Sequence, residues 1–214
     1  ALRFGASIYL SNTKLYFYNC DFIDNSAKDG YDDLFVQSYH GIFCQSCYFK
    51  RNNPKSDKKE SIHIDNNFKV QPGDKDLIDQ AKSYAVTFSN CIYEDDTNSC
   101  DNKIVIKNSE NTPIEILKCV FNDCITSEHI IALPDLAKNI QISNCSFTFI
   151  NENKVSKAVY SKTNNILFLG NTFHNCAADT IEVEGLDESN TIQFIENTFI
   201  NCYKGEIFDI SFKK

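Results

Sequence analysis

Apolar residues recur along this chain in a fixed arrangement of three positions, which is clearest in the C-terminal segment 192–202. In each copy an aromatic residue, here called the anchor, follows apolar residues placed five and seven positions earlier. Polar residues often stand between them, and this alternation with a period of two predicts a half-buried β-strand and not a helix. The anchors are Phe22, Phe49, Tyr93, Phe121, Phe147, Phe173 and Phe199.

The anchors repeat at a nearly constant distance. The last three steps are 26 residues each, and the preceding steps are 27, 44 and 28 residues. A period in this range is typical of a solenoid, in which each coil buries its apolar side only against its neighbours. Each copy is expected to contain one strand before a bend, a second strand with the anchor, and a third strand after a polar loop. The predicted third strands are 34–37, 62–64, 103–106, 129–133, 158–160, 180–183 and 207–212.

Three strands in each coil of about 26 residues predict an all-β fold, a right-handed parallel β-helix of about seven coils. The right-handed sense follows because parallel crossover connections are nearly always right-handed. Residues 1–214 are expected to form a single β-helix domain that belongs to a longer solenoid. The step of 44 residues predicts a loop or insertion between coils at 53–82. Open solenoid ends would allow self-association, because unpaired strands favour edge-to-edge pairing.

The position two residues before the anchor carries Cys in five copies and Asn in the last two. Cys is often fully buried as a small apolar residue, so the sequence predicts an inward ladder of mostly reduced thiols. A dense disulfide framework is the alternative, since the chain has ten cysteines. Only one Cys-x-x-Cys pair occurs, so no zinc site is expected. The ladder residues are Cys20, Cys47, Cys91, Cys119, Cys145, Asn171 and Asn197.

The charge and hydropathy of the chain argue against a nucleic-acid partner and against a membrane span. The net charge is −8 and the pI is near 5.0, which argues against nucleic acid as a partner because phosphate backbones attract basic surfaces. No run of 18 apolar residues occurs, so no membrane span is expected in this segment. No cofactor is expected, since the seven glycines form no phosphate-binding loop.

Acidic residues provide the candidates for catalysis. Glu182 and Glu184 alternate on one predicted strand and therefore share a face, where they could bind Ca²⁺ or act as an acid and base pair. A solvated outer strand is the preferred interpretation, because no Lys or Arg is expected at matching coil positions. The four histidines fall in unrelated positions of the repeat, so no metal or catalytic cluster is predicted. The other carboxylates considered are Asp95, Asp96, Asp101, Asp187 and Glu188.

The outer face of the first strand is the preferred candidate for recognition. Its side chains lie six and four positions before the anchor and should point away from the core. Exposed apolar and aromatic residues in such a row are typical of contact with a protein or glycan ligand. Cover by the insertion or by a neighbouring chain is the alternative. The predicted binding residues are Tyr16, Tyr18, Phe43, Leu117, Leu167, Leu169 and Ile195.

The repeat resembles that of the polymorphic outer membrane proteins. The run Gly5-Ala6-Ser7-Ile8 resembles their Gly-Gly-Ala-Ile motif, and 22–25 and 49–52 match their Phe-x-x-Asn motif. Later copies depart from it, since Phe121, Phe173 and Phe199 are followed by Cys at the Asn position. The resemblance covers nearly the whole chain as a style of repeat.

This resemblance implies a β-helix exposed at a cell surface and used in adhesion, or a related repeat protein of a microbial eukaryote. It supplies no catalytic residues. The expected function is therefore that of a non-enzymatic structural or adhesive segment of a cell-surface or secreted protein. A lyase or hydrolase acting on polysaccharides is the alternative, because the parallel β-helix is also a common enzyme scaffold. An intracellular scaffold is a third possibility if the cysteines are reduced.

Overall fold

The computed structural model describes the chain in fifteen stretches that are separated by gaps. They are 8–11, 14–25, 31–38, 41–51, 60–66, 85–95, 104–108, 113–122, 129–137, 139–149, 157–163, 165–176, 179–185, 191–202 and 206–212. These stretches contain 22 strands, numbered in chain order, and no helix. None of the described residues belongs to a helix that could span a membrane.

The strands form three sheets. The first sheet contains the strands before the bend: β2 Leu15–Tyr18, β5 Ile42–Gln45, β8 Val86–Ser89, β11 Ile114–Leu117, β14 Ile140–Ser143, β17 Asn165–Leu169 and β20 Thr191–Ile195. The second contains the anchors: β3 Asp21–Ile23, β6 Tyr48–Arg51, β9 Ile92–Asp95, β12 Val120–Asn122, β15 Ser146–Thr148, β18 Thr172–His174 and β21 Thr198–Ile200. The third contains β1 Ile8–Ser11, β4 Leu34–Ser38, β7 Ile62–Asn66, β10 Ile104–Asn108, β13 His129–Ala137, β16 Lys157–Thr163, β19 Ile181–Gly185 and β22 Phe208–Phe212.

Neighbouring strands in each sheet are parallel and belong to successive copies of the repeat. The anchors pair directly with one another in order, from Phe22 with Phe49 to Phe173 with Phe199. This register confirms the predicted all-β fold, a parallel β-solenoid with three strands in each coil. Its right-handed sense stays a prediction.

The anchor rings stack along the axis of the solenoid. The ring centroids of Phe121 and Phe147 are 4.7 Å apart, and those of Phe147 and Phe173 are 4.9 Å apart, with nearly parallel planes. Around Tyr93 the rings are tilted and the distances rise to 6.3 and 6.4 Å. Stacked pairs of this kind each contribute about 0.5–1.5 kcal/mol beyond their burial. The core is thus continuous from one coil to the next.

The position three residues before each anchor is the bend. Asn19, Ser46, Asn90, Lys118, Asn144 and Glu196 have φ between 52° and 55°, and Gly170 has φ 64°. This left-handed conformation turns the chain sharply from the first sheet into the second. At Gly170 a Cβ atom would lie 2.8 Å from the Asn144 Oδ1, so a larger residue there would also displace that side chain.

The thiol ladder faces inward. Cys47, Cys91, Cys119 and Cys145 are buried, which confirms that prediction, and the eight cysteines in the described residues are free. Cys20 was expected to be buried but is only partly so. It lies between β2 and β3, which have a neighbouring strand on one side only in the described part of their sheets.

The predicted insertion at 53–82 contains the strand β7. This strand lies between β4 and β10 in the third sheet and agrees with the third strand expected at 62–64. Residues 53–59 and 67–82 lie outside the described residues.

Candidate functional site

The seven residues predicted to bind a ligand all lie in the first sheet. Their side chains alternate with buried residues and point away from the core. Tyr16 is 67% exposed, Tyr18 is 65% exposed and Ile195 is 44% exposed. The other four are partly buried: Phe43, Leu117, Leu167 and Leu169. The surface formed by the residues eight, six and four positions before the anchors is called the outer face below.

One end of the outer face is aromatic. The rings of Tyr16 and Phe43 come from directly paired positions of β2 and β5 and stack with centroids 5.1 Å apart. The Lys14 Nζ lies 5.5 Å from the Tyr16 ring centroid and 5.3 Å from that of Phe43. Parallel pairing therefore stacks the two rings against each other, with the Lys14 ammonium group close to both rings and Tyr18 two residues along β2.

The other end of the outer face contains a groove across β11, β14, β17 and β20. It encloses about 340 Å³. Its floor is the strand backbone at Ile114, Ile140 and Ile166, and its walls are side chains six and eight positions before the anchors. These wall residues are Pro113, Glu115, Asn139, Gln141, Asn165, Leu167, Thr191 and Gln193.

The groove is almost uncharged. Glu115 is its single ionisable residue, and its Oε2 accepts a hydrogen bond of 3.2 Å from the Thr87 hydroxyl. Gln141 donates from Nε2 to the Ser143 hydroxyl at 3.3 Å, and Asn165 Oδ1 accepts from the backbone N–H of Thr191 at 3.2 Å. The amides of Asn139 and Gln193 make no hydrogen bond to the protein within the described residues. Amides that both donate and accept therefore line the groove at successive coils.

The carboxylates considered for catalysis lie on the third sheet. Glu182 and Glu184 share the outer side of β19, as the sequence indicated. The expectation that no lysine stands at a matching coil position is wrong, because Lys162 pairs directly with Glu184 and its Nζ lies 3.2 Å from that carboxylate. Lys157 Nζ lies 3.3 Å from Glu182 Oε2. The anchor pattern does not determine which residues of neighbouring third-sheet strands pair with each other. The sequence therefore did not reveal these ion pairs.

Two further groups border these ion pairs. The Nε2 of His129 lies 3.4 Å from Glu182 Oε2, while burial and the charge of Lys157 lower the pKa of His129 to about 4. Burial and the neighbouring Glu184 raise the pKa of Tyr160 to about 12. Both side chains are therefore neutral near pH 7, and neither is tuned to exchange a proton there.

The other carboxylates and histidines do not form a site. His63 stacks on Tyr31 with ring centroids 4.3 Å apart and lies on β7, which β10 separates from the strand of His129, while His174 lies in the second sheet. Within the described part of the chain no group of three His, Cys, Asp or Glu residues could hold a metal ion. Asp95 ends β9. The residues His40, Asp96, Asp101, Asp187 and Glu188 lie outside the described residues.

A buried polar cluster at one corner of the solenoid was not predicted. Arg51 and Asp32 are both almost fully buried and form an ion pair. Next to them, Asp33 accepts hydrogen bonds from the Ser61 hydroxyl and, at 2.8 Å, from Asn25 Nδ2. Burial raises the pKa of Asp33 to about 6. The Asp residues read as turn formers in the sequence, so nothing in the repeat pattern indicated a buried charge.

These features define a parallel β-solenoid whose first sheet presents an aromatic and largely uncharged outer face. No family model, no curated protein and no solved structure matches the chain.

Proposed function

We propose that this chain is a non-enzymatic recognition segment that binds a partner through the outer face of its first sheet. The observation that carries the proposal is the exposed aromatic end formed by Tyr16, Tyr18 and Phe43. Large exposed rings on a rigid sheet provide apolar contact area at little cost in conformational entropy. The segment at 53–82 is proposed as a second region of contact, because insertions in solenoids often carry binding surfaces.

The ion pairs on the third sheet favour this function over polysaccharide cleavage. A general base has to reach a substrate proton, and its pKa has to suit the working pH. Glu182 and Glu184 are each held by a lysine of the preceding coil. Such partly exposed pairs are common supports of an outer strand and contribute about 0–1 kcal/mol each.

We further propose that the segment belongs to a structural or adhesive protein of the cell surface or the extracellular space. The resemblance of its repeat to the polymorphic outer membrane proteins supports this location, as does the coil-by-coil architecture. A rigid solenoid holds a long face at a fixed distance from whatever anchors it, which suits adhesion.

The test compares two sets of variants on one array. The array carries cell-surface glycans together with collagen, fibronectin and laminin, and it is probed with labelled protein. Replacement of Tyr16, Tyr18 and Phe43 by Ser should weaken retention by at least about tenfold, because exposed aromatic anchors dominate such contacts. The matched control replaces Ile92 and Ile200, which are similarly exposed on the second sheet, by Ser. It should bind as the wild type does.

A second experiment separates the proposed function from the enzyme alternative. Under the proposed function, replacement of Glu182 and Glu184 by Gln should leave retention on the array unchanged and should alter no turnover. If the wild-type protein depolymerises polygalacturonate and the double Gln variant loses about 10²–10⁴ of that rate, the proposal is wrong. Absence of retention on every spot of the array would also contradict it.

A further inference from the structure

We infer that the groove of the outer face binds an uncharged saccharide chain lying along the solenoid axis. This inference rests on the proposed function and assigns a ligand class to it. The residues that carry it are Asn139, Gln141, Asn165, Leu167, Thr191 and Gln193, and all of them except Leu167 were not singled out by any apolar or acidic pattern in the sequence.

The chemistry of the groove walls matches hydroxyl groups. A sugar hydroxyl is both a donor and an acceptor of hydrogen bonds, and the side-chain amide and the Thr hydroxyl are as well. Asn139, Asn165 and Gln193 are exposed in the groove. Within the described residues, the amides of Asn139 and Gln193 are not engaged by the protein, so a ligand would displace water from them and not a protein partner.

The groove wall is apolar at Leu167. On β17, Leu167 pairs directly with Gln141 of β14 on one side and with Gln193 of β20 on the other. The apolar Leu167 side chain therefore lies between two amides. Pyranose rings have apolar C–H faces next to their hydroxyl edges, so an apolar wall flanked by amides suits them. Ligand sites of this size combine apolar lining with a few placed polar groups in the same way.

Charge selects against acidic and basic polymers. Of the 21 outer-face positions, which lie eight, six and four residues before the seven anchors, only Lys14 and Glu115 are charged. The whole protein carries a net charge of −8. A polyuronate would be repelled by the acidic protein, and a polycation would meet a single carboxylate in the groove.

The groove runs across successive strands, along the solenoid axis, and this direction suits an extended ligand chain. The groove crosses β11, β14, β17 and β20, so equivalent side chains recur at the spacing of strands in a sheet, about 4.8 Å. This is close to the length of one pyranose unit in an extended chain. Successive sugars would therefore meet successive coils. The aromatic end continues the same face past β8, which allows a longer chain to contact Tyr16 and Phe43.

A peptide fits the groove less well. Extended peptides commonly bind by adding a strand to an open sheet edge. Each of β11, β14 and β17 has a hydrogen-bonded strand on both sides, so its backbone offers no such edge. The groove walls also lack the Tyr, Trp and Arg residues that dominate protein interfaces.

The test measures binding of defined hexasaccharides by calorimetry. The neutral probes are cellohexaose, xylohexaose, mannohexaose, laminarihexaose and chitohexaose, and the acidic probe is hexagalacturonate. At least one neutral probe should bind at millimolar concentration or below, and hexagalacturonate should not. Replacement of Gln141 and Gln193 by Leu keeps the side-chain size and should weaken binding by about tenfold, because two hydrogen bonds are lost.

A second pair of variants separates blocking from misfolding. Leu167→Arg should fill the groove and abolish binding, while Thr172→Arg places the same side chain on the second sheet of the same coil and should leave binding unchanged. Thermal unfolding checks that both variants fold. Binding that survives Leu167→Arg, or preferential binding of hexagalacturonate, would overturn the assignment.

The inference and the proposed function fail in different ways. If collagen, fibronectin or laminin retains the wild-type protein, no neutral hexasaccharide binds and the triple Ser variant loses retention, the proposed function holds and the saccharide assignment is wrong. If neither proteins nor saccharides bind, both are wrong. Binding of a neutral hexasaccharide that both the Leu and the Arg groove variants reduce supports both.

Discussion

Asn171 occupies the same position in its coil as Cys145 does in the coil before, and the two side chains make the same hydrogen bonds. The Asn171 Oδ1 accepts from the backbone N–H of Cys145 at 2.9 Å, and its Nδ2 donates to the carbonyl of Ile142 at 2.8 Å. The Cys145 Sγ accepts from the N–H of Cys119 at 3.4 Å and donates to the carbonyl of Ile116 at 3.3 Å. A thiol and an amide are thus interchangeable here because each both donates and accepts.

Removal of this side chain should be costly. Asn171→Ala removes the acceptor of the buried Cys145 N–H and one hydrogen bond to the Ile142 carbonyl, so we expect a loss of about 2–4 kcal/mol in the free energy of unfolding. Asn171→Cys should cost less than half as much, because the thiol can bond both groups. Urea unfolding measures both values. Equal losses in the Ala and Cys variants would show that the hydrogen bonds do not explain the position.

The anchor ladder predicts a large cavity effect. Phe147 is fully buried between Phe121 and Phe173, so Phe147→Ala should lower the free energy of unfolding by about 3–5 kcal/mol. Its neighbour Thr148 lies on the outer side of β15, and Thr148→Ala serves as the control. A loss below about 1 kcal/mol for the Phe147 variant in urea would contradict the stacked core.

The buried thiols should be unreactive in the folded protein. Burial raises the pKa of Cys44 well above its ordinary value and raises that of Cys47 to about 11, so little thiolate is present at neutral pH. Iodoacetamide labelling followed by mass spectrometry should modify Cys44, Cys47 and Cys91 only after unfolding in urea. Cys20 and Cys202, which are partly buried, should react first. Rapid native labelling of Cys91 would count against the ladder.

The buried carboxyl at the corner should make stability depend on pH. The folded pKa of Asp33, about 6, lies above its ordinary value of 3.8, so the folded state binds this proton more readily between those values. The contribution of Asp33 to stability therefore rises as the pH falls from above 6 towards 4, and it is fully present below 3.8. Asp33→Asn removes this dependence.

The measurement is the difference in unfolding free energy between the wild type and Asp33→Asn. On going from pH 7.5 to pH 4 this difference should shift in favour of the wild type, by on the order of 2 kcal/mol. The exposed Asp209→Asn variant provides the control and should show no such shift. A constant difference for Asp33→Asn across this range would mean that its carboxyl keeps an ordinary pKa.

The last coil should mediate self-association of the segment 1–214. In the described part of the chain, β20, β21 and β22 each have one neighbouring strand, and Ile192, Phe194 and Phe199 are only partly buried. We expect the sedimentation coefficient to rise with protein concentration, because such ends pair with one another. Ile192→Lys should suppress the rise, and the outward Ile195→Lys should not. A constant monomer at all concentrations would contradict the proposal.

The sequence predicted the first and second sheets well because their register depends on a strong pattern. Apolar residues at fixed distances before an aromatic anchor leave one way to stack the copies, and a shift by one residue would expose every core side chain. The observed pairs of Phe147 with Phe173 and of Ile142 with Phe168 agree with that pattern. The bend three residues before the anchor was also predicted, although its residues are of mixed type.

The third sheet and the corners were harder to predict. Loops of variable length precede the third strand, so the anchor does not fix its register, and the pairing of Lys162 with Glu184 was missed. Arg51 ends the anchor strand β6 at a position that is polar in most other copies. Its burial beside Asp32 depends on a corner contact between coils. The amide groove was missed because Gln141 and Gln193 read as ordinary solvated residues until stacking brings them together.

Each coil of this protein pairs only with the coil before it and the coil after it. Duplication of one repeat in the gene would therefore insert a coil without changing the cross-section or the contacts of distant coils. At the position two residues before the anchor, an added coil could carry Cys or Asn, since the side chains of both residues donate to and accept from the backbone of the preceding coil. Each added coil would lengthen the outer face by about 4.8 Å, so the reach of the ligand site would be set by the number of repeats.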